Sequence, residues 1–254
     1  MTTKATHSTS TRARRSTLDR GTALRLAATE YERYLDLLRT LGSGDWTQST
    51  ECAAWNVQQM AAHNLGMAEM AGSLPEMGRQ LSGAGRRPER GIDALTAYQV
   101  EQRSTLTPAE IIHRYRTASS RAVRGRRRRS RLVGRLTMPE KQVVDGSPER
   151  WTFGYLFETI LTRDTWMHRI DTTRATGRAM VLTVDHDGAL VSDVVTEWAR
   201  RHGAPFSLHL SGPVGGSWSA GTAGQRIHLD AIQFVRTVSG REAGQGLLAV
   251  QVPF

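Results

Sequence analysis

Residues 153–171 read FGYLFETILTRDTWMHRID. Phe153, Leu156, Phe157, Ile160 and Leu161 recur at spacings of three and four, the period of one helix face. Carried forward, that face reaches Asp164, Met167, His168 and Asp171. An acid and an imidazole one turn apart therefore point the same way as the core stripe. A buried carboxylate without a partner is costly, so such a group must be paired. A divalent cation is a partner that Asp and His at i, i+4 can share; the two can also simply pair with each other. The spacing predicts a long helix from near Trp151 to Gly177 and makes a metal site the leading chemical reading.

Upstream, Leu24, Ala27, Tyr31, Tyr34, Leu38 and Leu41 alternate in steps of three and four, giving a first amphipathic helix that Gly42, Ser43 and Gly44 stop. The polar stretch DWTQSTECAAWN follows, and Asn56 is placed to cap a second helix running from Val57 through Met60, Asn64 and Met67 toward Met70. Residues 72–91, rich in Gly, Arg and Pro, read as a long loop. Two further helices are expected near Ile92–Arg103 and Pro108–Val123, the latter with Thr107 as N-cap and Pro108 in the favoured first position. Residues 132–150 read as a connection. Past Gly177, Val181–Val184 is a short apolar stretch and Asp187–His202 reads as helix. Alternation then takes over in PFSLHLSG and QRIHLDA, around a Gly-rich hairpin signal, PVGGSWSAG. The expected organisation is a disordered basic tail over 1–20, a four-helix domain over 21–179 and a small α/β domain over 180–254, an α+β protein.

The chain has 254 residues and 39% hydrophobic residues, enough for a substantial core. No apolar run approaches the ~18 residues of a membrane helix. The basic, Ser/Thr-rich N-terminus lacks the apolar segment of a signal peptide, and the lone Cys52 precludes an internal disulfide, so a cytoplasmic location is expected. The net charge of +10 invites a nucleic-acid reading. The arginines argue against it: Arg12, Arg14 and Arg15 belong to the tail, and Arg121–Arg131 carries neither a groove-reading motif nor interleaved aromatics. That cluster reads as a solvated helix end and loop.

His63 in the second helix adds a third donor to Asp164 and His168. Two imidazoles and a carboxylate from two bundle helices suit zinc, nickel, iron or manganese with positions left open. The segment DWTQSTECAAWNVQQMAAHNLG, through Trp46, Thr50, Cys52, Trp55, Val57 and His63, resembles the opening signature of the mycothiol-dependent maleylpyruvate isomerase family, within the DinB-like metal-binding four-helix superfamily. RDTWMHRIDTTRATGR resembles the family's second signature, in which an acid precedes a His by four residues and an Asp follows it by three. LDAIQFVRTVSGREAGQGLLAVQVPF resembles its small second domain, so the likeness spans about Thr22 to Phe254.

The resemblance implies that His63, Asp164 and His168 bind a divalent metal, with zinc expected, and that mycothiol is the thiol cofactor. A zinc-bound thiolate adding to an electrophilic small molecule would make the protein a transferase or isomerase. A non-catalytic metal-binding stress-response or partner-binding module and a metal-dependent hydrolase are the alternatives. The family places Glu where this chain has Asp164, and the shorter side chain reaches up to about 1.5 Å less far.

Arg236 and Arg241 are candidates for holding a substrate carboxylate, against a reading as surface arginines. Cys52 reads as a small packed residue rather than a nucleophile, since the sequence sets no His or acid beside it. Trp46 and Trp55 are expected to pack the loop onto the bundle. Asp171 is expected either to orient a ligand or to pair with Arg174. His113, His186, His202, His209 and His228 show no partner pattern.

Overall fold

The computed structural model describes residues 12–254. Four long helical segments form a bundle: α1 (Arg20–Thr40), α2 (Val57–Gly72), α5 (Pro108–Val133) and α7 (Leu161–Thr176). The expected caps are present. Asn56 closes a capping box with Gln59 at the head of α2, and Thr107 closes one with Glu110 at the head of α5. Tyr31, Tyr34, Leu38, Val57, Leu65, Tyr115, Phe157 and Leu161 fill the bundle interior.

Residues 72–91 are largely helical rather than a loop. Ser73 caps α3 (Leu74–Ala84), and α4 (Gly91–Glu101) returns alongside it. Glycines 78 and 83 lower helix propensity here, yet Gly83 sits where an added Cβ would lie 2.3 Å from the Tyr98 ring, so close packing on α4 holds the helix. The Arg121–Arg131 cluster is likewise continuous helix within α5, not a helix end and loop. One residue per turn must face inward, and Arg126 does so. It is 1% exposed and donates to the Phe157 carbonyl at 2.8 Å and the Thr162 hydroxyl at 2.5 Å. In the 132–150 connection a short hairpin forms, β1 (Gln142–Val144) against β2 (Ser147–Glu149).

The expected tail over 1–20 falls partly on residues 1–11, outside the described residues. Residues 12–19 are held in place. Arg14 exchanges backbone hydrogen bonds with Arg150 and Thr152, and Thr17 donates to Asp193 at 2.5 Å. Paired backbone and a buried carboxylate anchor what the composition reads as loose chain.

The stretch that predicts the last long helix is interrupted. After α6 (Phe153–Tyr155) comes a π-turn at Leu156–Ile160, and then α7. The extra residue in that turn rotates the face. Ile160 consequently packs with Trp151 and Tyr155, while Phe157 and Leu161 stay in the bundle. Within α7, Met167 lies away from Asp164 and His168 and joins the C-terminal core. Because α7 lies between two apolar clusters, it is buried all round rather than on one stripe.

The C-terminal part opens with a π-turn at Val184–Gly188 and α8 (Ala189–His202). A three-stranded sheet follows in the order β4-β3-β5: β3 (Phe206–Ser211) pairs antiparallel with β4 (Gly216–Ala220) and parallel with β5 (Gln225–Asp230). From this parallel pair β5 leads directly into α9 (Ala231–Val238), capped by Asp230. Leu208, Leu210, Ile227, Phe234 and Trp198 share their core with Leu26 of α1 and Trp166, Met167 and Ile170 of α7.

Among the described residues, no helix is long and apolar enough to cross a membrane.

Candidate metal centre

Residue 63 on α2 and residues 164 and 168 on α7 meet across the bundle interior. His63 Nε2 lies 3.6 Å from Asp164 Oδ2, and His168 Nε2 lies 3.3 Å from Asp164 Oδ1. The two imidazole rings stand edge to face with centroids 5.1 Å apart. Trp55 closes one side, its ring 4.9 Å from that of His63 and 6.0 Å from that of His168. The expected packing of Trp55 onto the bundle is therefore packing onto these two rings.

The far nitrogen of each imidazole is held by an acceptor. Gln99 Oε1 is 2.8 Å from His63 Nδ1. The orientation of that amide is set by a chain of bonds. Gln99 Nε2 donates to Gln80 Oε1 at 2.8 Å, and Gln80 Nε2 in turn donates to the Gly66 carbonyl at 3.0 Å and Glu76 Oε1 at 2.7 Å. Asp171 Oδ2 lies 3.3 Å from His168 Nδ1. With Nδ1–H donated on each ring, both Nε2 lone pairs face Asp164. Two imidazole acceptors and a carboxylate acceptor then converge on one point, an arrangement that needs a proton or a cation between them. Asp164 Oδ2 is buried and has no hydrogen-bond partner. The donor set and this orphaned oxygen fit a divalent cation.

Electrostatics around the carboxylate are correspondingly strong. With a proton rather than an ion between these groups, carried on His168 Nε2, burial pushes the Asp164 carboxyl up but the charge of His168 outweighs it and holds it far below the usual carboxylate range. Burial pushes the His168 imidazole down, and the adjacent Asp164 outweighs that and raises it well above the usual imidazole range. The Asp164 side chain is 21% exposed, so the centre opens on one side.

Two other groups of donors exist among the described residues. Glu30, His186 and Asp187 meet where α1 and α7 approach the turn before α8. There every carboxylate oxygen is already taken: Arg169 donates to both oxygens of Glu30, and Asp187 accepts from Arg169, Arg33, the Trp166 indole and the Thr183 amide. His186, for which the sequence offers no partner, sits 2.7 Å from Glu30 Oε2. The carboxylates of this network are satisfied as they stand, His186 Nδ1 being left without a partner, and the network ties the bundle to the C-terminal part.

In the remaining group, Cys52 with His168 and Asp171, the fold brings beside Cys52 the imidazole and acid that the sequence does not set there. Its Sγ lies 3.6 Å from Arg241 Nη2 and 3.9 Å from Asp171 Oδ2, neighbours brought from 189 and 119 residues away. Asp171 pairs with Arg241 at 3.0 Å rather than with Arg174, which binds Glu51 instead. Arg236 is buried and held by Glu51 at 2.8 Å and by Glu242. Neither candidate carboxylate-binding arginine is a surface residue, and the charge of each already faces an acid. Arg241 is at the rim of the centre; Arg236 is one ion pair further out.

Gln99 is the residue that sequence reading missed. It lies on α4, 36 residues from His63, and only the packing of α4 on α2 brings it there. Gly66 permits that approach, since a Cβ at this position would lie 2.8 Å from Gln99 Cγ. Replacing Gln99 by Leu is expected to weaken zinc binding by about 10–100-fold, because the His63 tautomer is no longer fixed. Competition against a chromophoric chelator measures it; unchanged affinity would remove Gln99 from the centre.

Comparison with known proteins agrees with this architecture. Residues 27–173 match the family model described as the mycothiol maleylpyruvate isomerase N-terminal domain. A crystal structure of the mycothiol-dependent maleylpyruvate isomerase is similar in fold, with a TM-score of 0.54, 15% sequence identity, and coverage of 89% of this chain and 91% of that chain. A mutant of that enzyme gives a TM-score of 0.53 at the same identity and coverage. No curated protein matches. With well over half its length matched by the family model, the chain belongs to the mycothiol maleylpyruvate isomerase N-terminal domain family.

Proposed function

We propose that the protein is a metal-dependent, mycothiol-dependent isomerase or transferase acting on an electrophilic small molecule, with zinc as its metal. The observation that carries this reading is the convergence of three acceptors, His63 Nε2, His168 Nε2 and Asp164 Oδ2, the last with no hydrogen-bond partner. The family's thiol partner supplies the second half of the reading.

In this reading His63, Asp164 and His168 hold the ion. When bound, a divalent ion supplies a means of keeping a thiol deprotonated at neutral pH, where a free thiol with a pKa near 8.5 is mostly neutral. The chain's own residues do the positioning. Gln99 and Asp171 fix the two ring tautomers. Trp55 covers the His63 ring and keeps water from that side. The exposed side of Asp164 is the approach for thiol and substrate. Arg241, held by Asp171 and 3.6 Å from Cys52, sets a positive charge at the rim that favours anionic reactants without being free to clamp one. Asp164 in place of Glu shortens the carboxylate arm and bears on metal preference more than on metal binding itself. The division into a metal-binding unit over 21–179 and a smaller unit over 180–254 belongs to this proposal, as does a cytoplasmic setting.

The test is metal analysis of the purified protein followed by calorimetric titration with mycothiol, with and without zinc. Near-stoichiometric metal with thiol binding only in the zinc form is expected. Metal without thiol binding would turn the reading toward hydrolysis or a binding module, and failure to take up zinc would end it.

A further inference from the structure

A second feature lies along the same seam of the bundle. α2 and α7 run antiparallel, so one turn beyond His63 on α2 meets one turn before Asp164 on α7. There Met67 and Leu161 form the floor of a cavity of about 410 Å³, whose walls include Met70, Leu81, Leu95 and Phe157. The inserted pair α3–α4 covers it, and the π-turn at Leu156–Ile160 supplies Leu156 and Phe157. Leu81 and Ile92 on its walls are 53% and 58% exposed, large apolar side chains left in solvent beside an apolar hollow. The volume is in the range of small-molecule sites, roughly 300–1,000 Å³.

One wall carries a charge without a counter-charge. Arg129 on α5 is partly buried, donates to the Ala71 carbonyl at 2.6 Å and has its guanidinium 6.0 Å from the Phe157 ring centre. No acid among the described residues pairs with it. Burial alone pulls this guanidinium below its usual range, as expected of an uncompensated cation. At the mouth, Arg90 and Lys141 add positive charge; of the two acids there, Glu89 is already held by Arg87, leaving Glu140. An apolar hollow with a half-buried, unpaired guanidinium matches a ligand with an apolar body and one anionic end.

We propose that this cavity binds an amphipathic monocarboxylate, its carboxylate on Arg129 and its apolar body running along Met70, Leu95 and Phe157 toward Met67 and Leu161. Four residues of α2 separate Ala71 from Met67, which is about 6 Å of helix, so the straight run from Arg129 to the floor takes roughly five carbons and a longer chain is held by turning along Leu95 and Phe157. The far end of the ligand would then stop one turn short of the metal centre, separated from it by Met67. Gln99 touches both sides, donating to Met67 Sδ at 3.1 Å and accepting from His63. The site is distinct from the metal centre, and its occupancy does not depend on thiol chemistry.

The experiment is titration of the full chain with decanoate and with decanol, each below its solubility limit, in zinc and again in chelator. Saturable decanoate binding, unchanged by chelator and tighter than that of decanol, is expected. Arg129→Met should weaken decanoate by about 10–100-fold, the worth of a charge-assisted bond, and leave decanol within about twofold. Leu81→Trp, which fills the mouth from an exposed position and so spares the fold, should weaken both. No saturable binding, or decanoate affinity indifferent to Arg129→Met, would overturn the assignment. Binding that requires zinc would place the ligand at the metal centre and overturn it equally, whereas failure of the metal reading would leave decanoate binding intact.

Discussion

His63→Ala and His168→Ala are each expected to leave the purified protein without stoichiometric metal, with zinc affinity falling by more than the ~10–100-fold that loss of a residue behind a ligand produces. Each replacement removes one of three donors and leaves Asp164 with a single imidazole neighbour. The remaining pair cannot complete a tetrahedral site at bond lengths near 2.0–2.2 Å. His63→Ala also frees Gln99 Oε1, and His168→Ala removes one partner of Asp171 Oδ2, which Arg241 still holds, so a modest loss of thermal stability accompanies the first and a smaller one the second. The discriminating readout is metal content after reloading with zinc. Retention in both variants would show that the convergence of these side chains is an ordinary buried Asp–His pair. Zinc affinity should also fall as pH is lowered, because both imidazoles must be neutral to coordinate.

Arg163→Met is expected to have the largest effect on stability, about 3–5 kcal/mol, because it strands buried acids. Arg163 is 1% exposed and reaches from α7 to α8, donating to Asp193 Oδ2 at 2.7 Å and Glu197 Oε2 at 2.8 Å. It also meets the Pro253 carbonyl at 3.2 Å, so the chain's last residues hang on the same group. For a chain of this size such a loss lowers Tm by about 10–15 °C. A shift below about 3 °C would mean that water or Arg201 replaces it.

The same network sets an acid limit. Burial raises the Glu197 carboxyl, but Arg163 and Arg201 outweigh it and bring it down to about 2. A carboxyl lower in the folded than in the unfolded chain stabilises the fold above the unfolded value, about 4.5, and that contribution is lost as pH falls toward 2. In Arg163→Met the folded value rises, so the acid transition should begin at higher pH. Circular dichroism against pH for both proteins reads this directly.

Helical period alone put Asp164 and His168 on one side of a helix, and the capping residues Asn56 and Thr107 marked where α2 and α5 begin, since both are short-range consequences of residue type. His63 on the second helix offered a third donor, and the likeness of two separated signatures implied that the three bind one metal. Local pattern could not report the π-turn at Leu156–Ile160, which breaks the apolar stripe and sends Ile160 to another core, because one extra residue in a turn leaves no mark on composition. Nor could it find α3, whose glycines read as loop and whose helix is held by packing against Tyr98. The partners that decide the chemistry lie furthest from local reach. Gln99 comes to His63 from another helix, and Arg241 comes to Asp171 and Cys52 from the C-terminal part. The sequence by itself determined which residues could serve as ligands, through spacing along one helix. Only the tertiary structure decided which nitrogen each imidazole presents and which charges are already spent, because hydrogen bonds between distant segments are made by packing and not by period.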